Sequence, residues 1–89
     1  MGNNQEVLDG QEAQRILESD VYKKAMQALS DGYMGDWVNS RPVDVVVRET
    51  AYKKLQILAE FVNEVKRVME TGKMAEKQSG VESNIGTHY

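Results

Sequence analysis

The sequence contains no cysteine, one proline, one histidine and one tryptophan. Each scarcity excludes something. Without cysteine, neither a disulfide framework nor a thiolate metal site can exist. A single histidine cannot build a multi-histidine zinc centre or a histidine relay, and that residue, His88, stands next to the last position. Positive charge is short too. Eleven Lys plus Arg against fourteen Asp plus Glu give a formal net charge of -3, whereas a surface that coats duplex DNA carries a basic excess. Long apolar runs are missing: the longest, Val45–Val47, is far below the roughly 20 residues of a membrane span, so no membrane association is expected. The opening Met-Gly-Asn-Asn-Gln-Glu has no basic start leading into an apolar stretch, so no secretory signal is expected. Gly2 is followed by Glu6 where a myristoylation signal carries Ser or Thr. The expected location is the cytoplasm, or an assembly built there.

The 89 residues, 40 % hydrophobic and 28 % charged, set a ceiling of one domain of ordinary soluble composition. Residues 1–10 are polar, end in Asp9-Gly10 and read as a flexible arm. Residues 73–89 show no helical period and read as a flexible tail. The pattern lies in 11–72. Within it Pro42, in Asn39-Ser40-Arg41-Pro42, drives Arg41 out of the α region and ends any helix arriving there. Two helices are expected, about 11–39 and 45–71, with a turn at 40–44.

In the first segment Ser19 has the character of an N-cap, followed by Asp20 where negative charge suits the helix dipole. Gln11–Glu18 can then form a short helix of its own. Tyr22, Met26, Leu29, Tyr33 and Trp37 recur at helical steps and form one apolar stripe. Gly32 and Gly35 each cost about 1 kcal/mol against Ala inside a helix, leaving open a break near Gly32. In the second segment Asp44 is the expected N-cap. Ala51, Leu55, Leu58, Val62, Val65 and Met69 follow steps of 4 and 3, a heptad seam. Ile57, Phe61 and Val68 form a second row beside it, widened by Tyr52. Gly72 fits the C′ position that closes a helix.

The fold class is therefore all-α, an antiparallel two-helix hairpin with room for a short N-terminal third helix. The second helix carries more apolar surface than the first covers. A homodimer closing into a helical bundle buries the surplus, each large side chain contributing about 1.5–3 kcal/mol when fully buried. The expected core and interface residues are Tyr22, Met26, Leu29, Tyr33, Trp37, Tyr52, Leu55, Leu58, Phe61, Val62, Val65 and Met69. Tyr33, Trp37 and Tyr52 come together around the turn, either as a hydrophobic plug or as an anchor for another protein.

Chemistry is sparse. No Gly-rich phosphate loop is present. Glu60 and Glu64 sit at helical spacing and read as an exposed polar face rather than a metal or proton site. No base accompanies a nucleophile on an expected helix. No catalytic, metal or cofactor-binding residue is assigned, and an enzyme is not expected. Arg41 and Arg48 flank the turn and could contact an anion, although Arg48 is more simply paired with Asp44. The doublets Lys23-Lys24, Lys53-Lys54 and Lys66-Arg67 are interleaved with acids, and no stacking aromatics sit among them. Nucleic acid is thus the weaker partner class. Long heptad helices also differ from the short, steeply crossed helices of a helix-turn-helix.

Ala13–Ala75 resembles small helical-hairpin proteins of tailed bacteriophages and prophages. The shared order is Ala-x-x-Ile-Leu at Ala13–Leu17, a helix bearing Tyr33 and Trp37, a turn with Pro42 and Asp44, Arg48-Glu49 opening the second helix, and Gly-Lys-x-Ala at Gly72–Ala75. Such proteins tend to be encoded near head and packaging genes. The resemblance implies a non-enzymatic factor in virion assembly or DNA packaging, acting through protein contacts. It gives no functional residue to carry over. A nucleic-acid-associated packaging or regulatory factor and an inhibitor of a host protein are the alternatives.

Overall fold

The computed structural model of the chain describes the backbone of residues 4–87 and the side chains of residues 4–78. The described residues form three helices and no strand: α1 (Asn4–Glu18), α2 (Asp20–Val38) and α3 (Val45–Thr87). They divide into two compact units, one combining α1 with the part of α3 from Glu64 onward, the other running from Ser19 to Asn63.

In the Ser19–Asn63 unit, the start of α2 is fixed by Ser19. Its backbone is extended (φ -65°, ψ 130°) and its Oγ accepts a hydrogen bond from the Tyr22 N–H at 3.3 Å, satisfying one of the donors a helix start leaves open. The end of α2 is closed by the Asn39 N–H on the Gly35 carbonyl (2.9 Å) and the Ser40 hydroxyl on the Trp37 carbonyl (2.6 Å). α2 continues unbroken through Gly32 and Gly35, and a Cβ on either would meet nothing within 4 Å. The break in the expected 11–39 helix falls at Ser19 instead, where the serine side chain rewards a non-helical backbone. Ala51 is 2 % exposed, and Tyr22, Met26, Tyr33, Leu55, Leu58 and Val62 are half-buried. The Tyr22 hydroxyl is buried without a hydrogen-bond partner.

The other unit is built on a close helix approach. Gly10 and Ala13 of α1 and Gly72 and Ala75 of α3 are all buried. A Cβ placed on Gly10 would lie 2.7 Å from the Gly72 Cα, and one on Gly72 would lie 2.6 Å from the Gly10 Cα and 2.7 Å from the Glu6 carbonyl oxygen. Only hydrogen fits at both positions. Around this crossing Val7, Leu17, Val65, Val68 and Met69 are half-buried.

These facts correct several expectations. The arm expected over 1–10 is helical from Asn4, because Gly10 serves as a packing position and not as a turn. Residues 1–3 lie outside the described residues. α3 passes through Gly72 and continues to Thr87, so the expected stop at 71 and tail from 73 give way to helix. No described glycine has positive φ, which removes the C′ role from Gly72. Gly72 falls on the next seam position after Met69, and Ala75 follows one turn on, so the apolar face continues with the helix. The core also differs in kind. Among the described residues the buried apolar ones are Ala13, Ala51 and Ala75. None of the large side chains expected in the core is buried, and Leu29, Trp37, Tyr52 and Phe61 are exposed.

Two outcomes follow. Gly72→Ala gains helix propensity but forces two backbones apart, at about 1–3 kcal/mol for overpacking. A net loss of about 1 kcal/mol lowers Tm by roughly 4–8 °C. Gly32→Ala, in open space, raises it by a similar amount. Thermal circular dichroism of the two variants checks both signs. Tyr22→Phe removes an unpartnered buried hydroxyl and is expected to leave stability unchanged or raise it by up to about 1 kcal/mol, measured by urea unfolding.

Candidate functional site

The charged groups of the 39–44 connection are tied into the turn itself. The Asp44 carboxylate accepts from the Arg41 backbone N–H (3.0 Å), from Arg41 Nε (3.1 Å) and from Arg41 Nη2 (3.2 Å). This is the two-pronged geometry in which a guanidinium holds a carboxylate best. The Arg48 guanidinium donates to the carbonyls of Arg41 and Pro42. Its own N–H closes the first turn of α3 on the Asp44 carbonyl at 3.1 Å. The expected Arg48–Asp44 side-chain pair is therefore corrected. Arg41 holds the carboxylate, and Arg48 binds the Arg41 and Pro42 carbonyls, the first of which also accepts from the Asp44 N–H at 2.9 Å. Both arginines proposed for an anion are already engaged. The Arg41 side-chain hydrogen bonds hold the Asp44 pKa below its ordinary value of 3.8, helped by the Arg41 backbone N–H and the Arg48 charge and opposed by desolvation.

Trp37 and Tyr52 meet beside the turn in an edge-to-face pair, ring centroids 6.1 Å apart and planes at 77°. They line an open hollow of about 500 Å³ with Arg48, Glu49 and Lys53. Trp37 is 41 % and Tyr52 49 % exposed, so the pair covers the turn without being sealed in. Further along, Tyr33, Lys54, Ile57, Leu58 and Phe61 line a shallow groove of about 280 Å³. The Lys54 ammonium lies 5.5 Å from the Tyr33 ring centroid, within cation–π range. Ile57 and Phe61 are 63 % and 54 % exposed. These are the residues of the second apolar row. In the other unit Asp9, Glu12, Ala13, Ile16, Val65 and Val68 line a third shallow groove.

All three hollows have chiefly aliphatic and aromatic walls with charges at the rim. Such walls suit the side chains of another protein more than a polar small molecule, which needs convergent hydrogen-bonding groups. No group of three His, Cys, Asp or Glu able to hold a metal occurs among the described residues. Glu64 is engaged by Arg67 at 3.1 Å, and His88 lies outside the described residues. No helix among the described residues is long and apolar enough to cross a membrane. Comparison with protein-family models, curated proteins and solved structures found no match.

The residues that sequence reasoning missed are Gly10, Ala13, Gly72 and Ala75. The available signal was a repeated Gly-x-x-Ala, at Gly10–Ala13 and at Gly72–Ala75, the second already continuing the seam spacing.

Because the folded pKa of Asp44 is lowered, its contribution is fully present above the unfolded value near 3.8 and is lost as pH falls through the folded value. Acid titration of unfolding free energy is expected to show a decline below about pH 4 that is smaller in Asp44→Asn.

Proposed function

We propose that this chain is a non-enzymatic, phage- or prophage-type helical protein that acts by protein–protein contact in virion assembly or DNA packaging. The observation that carries the contact reading is the solvent-facing row on α3. Large apolar side chains face water there while the buried positions hold alanine and glycine, and such surfaces mark interaction sites. The antiparallel hairpin is supported by two contacts running in opposite chain directions, Trp37 with Tyr52 and Tyr33 with Lys54. The phage setting is supported by the resemblance over Ala13–Ala75. The engaged states of Arg41 and Arg48 weigh against the nucleic-acid reading, since both guanidiniums already hydrogen-bond within the turn.

The test is affinity purification of the tagged full chain from bacteria producing the phage that encodes it. Co-purification of head or packaging proteins is expected, and it should weaken in Phe61→Ser. Recovery of a host enzyme alone would move the assignment to the host-inhibitor alternative. A salt-sensitive shift of duplex DNA without protein partners would move it to the nucleic-acid alternative.

A further inference from the structure

We infer that the exposed row centred on Ile57 is covered by a second copy of this chain, with the two α3 helices antiparallel about a two-fold axis through Ile57. The inference rests on the protein-contact reading above and names the partner.

The argument begins with placement on one helix face. At about 100° per residue, Lys53 and Glu60 lie on one flank of Ile57, one helical turn before it and one after. Lys54 and Phe61 lie on the other flank, likewise one turn before and one after. The first flank points away from the buried Ala51–Leu58 seam. The second borders the groove that Tyr33 lines with Lys54, Ile57, Leu58 and Phe61. Ile57 and Phe61 are among the most exposed large apolar residues of α3. Lys53 and Glu60 are exposed and form no ion pair within the chain.

A two-fold axis that reverses the helix carries each residue to the opposite end of the same flank. Lys53 then faces Glu60 of the second copy, and Glu60 faces its Lys53. Lys54, with its long aliphatic stem, lies against Phe61 of the second copy. Ile57 meets its own equivalent on the axis. Opposite charges at matched distances either side of an exposed isoleucine are what an isologous interface requires, because every contact must occur twice. A parallel pairing exchanges the flanks and would set Lys53 against Lys54 and Glu60 against Phe61 of the second copy, so that the lysines repel and Glu60 gains no cation. Charge complementarity thus selects both the occupant and its direction.

The chain has no cysteine, so single introduced cysteines report the geometry cleanly. Ile57→Cys is expected to form a disulfide-linked dimer readily under mild oxidation, since Cα atoms on the axis of packed helices come within the 4.4–6.8 Å that a disulfide spans. Thr50→Cys is expected not to, because the antiparallel register separates its two copies by about 21 Å along the helix. In sedimentation the wild-type chain is expected to dimerise more weakly as salt rises. Glu60→Lys should weaken dimerisation at least tenfold, and the double variant Lys53→Glu/Glu60→Lys should restore it. Circular dichroism keeps these comparisons on folded protein. A wild-type monomer at all concentrations and salts would overturn the inference while leaving the protein-contact reading to its own purification test. A dimer in which Thr50→Cys cross-links and Ile57→Cys does not, or in which the double variant fails to recover, would overturn the face and register.

Discussion

The 3–4 seam along α3 is the constraint on which the packing depends. It supplies Ala51, Leu55, Leu58 and Val62 to the unit containing α2, and Val65, Met69, Gly72 and Ala75 to the unit containing α1. Its buried members are the small ones, Ala51 in the first unit and Gly72 and Ala75 in the second. At Gly72 the side chain disappears altogether, and the backbones of α1 and α3 come within the distance that a single methyl would fill. The burial achieved is modest. Among the described residues, three alanines at 5 % exposure or less are the buried apolar ones. An alanine removes far less surface from water than the large side chains worth about 1.5–3 kcal/mol each. Close backbone approach compensates through dispersion, each atom pair giving about 0.1–0.2 kcal/mol but in large number.

Much of this architecture was legible. Ser19 announced its cap because a serine before an acidic first turn offers the backbone an oxygen exactly where a free N–H needs one, and its Oγ is found on the Tyr22 N–H. Pro42 announced the connection. The heptad of α3 and the second row beside it were visible as periodicity, and Ile57 and Phe61 of the second row face solvent while Val68 is half-buried. Gly10 and Gly72 were misread for a common reason. A glycine judged by local propensity is a terminator, since it costs about 1 kcal/mol in a helix. A glycine that lets two helices touch is justified by a residue far away in sequence. Nothing local at Gly72 reveals Gly10, although the seam spacing reaching Gly72 pointed the right way. Gly32 shows the converse: its propensity cost is real, it has no packing role, and the surrounding α2 residues simply carry it.

The candidate site divided the same way. The aromatic trio and the turn arginines were recognisable as residue types, but their roles depended on who reached whom. Arg48 lies four residues after Asp44, the spacing of a helical ion pair, while Arg41 lies outside the helix where no periodic rule applies. The turn delivers the Arg41 fork to the carboxylate three residues on. That leaves Arg48 for the Arg41 and Pro42 carbonyls. The Arg41 carbonyl already accepts from the Asp44 N–H at 2.9 Å, and a guanidinium with five donors is the side chain able to reach it and the Pro42 carbonyl together.

The two apolar rows of α3 are thus chemically different surfaces. The buried seam positions are small, and at Gly72 a neighbouring helix lies close and the contact is specified by shape. The outer row is larger and flanked by unpaired opposite charges, so a contact made there is specified by electrostatics as well as by burial. A helix that needed only to complete its own fold would gain from small or polar residues on the outer row, which lower the exposed apolar surface without loss of packing. Keeping Ile57 and Phe61 in water carries a free-energy cost in the isolated chain, of the order recovered when such side chains are covered. That cost would be offset wherever another chain covers the row, which is the physical basis of the proposed contact.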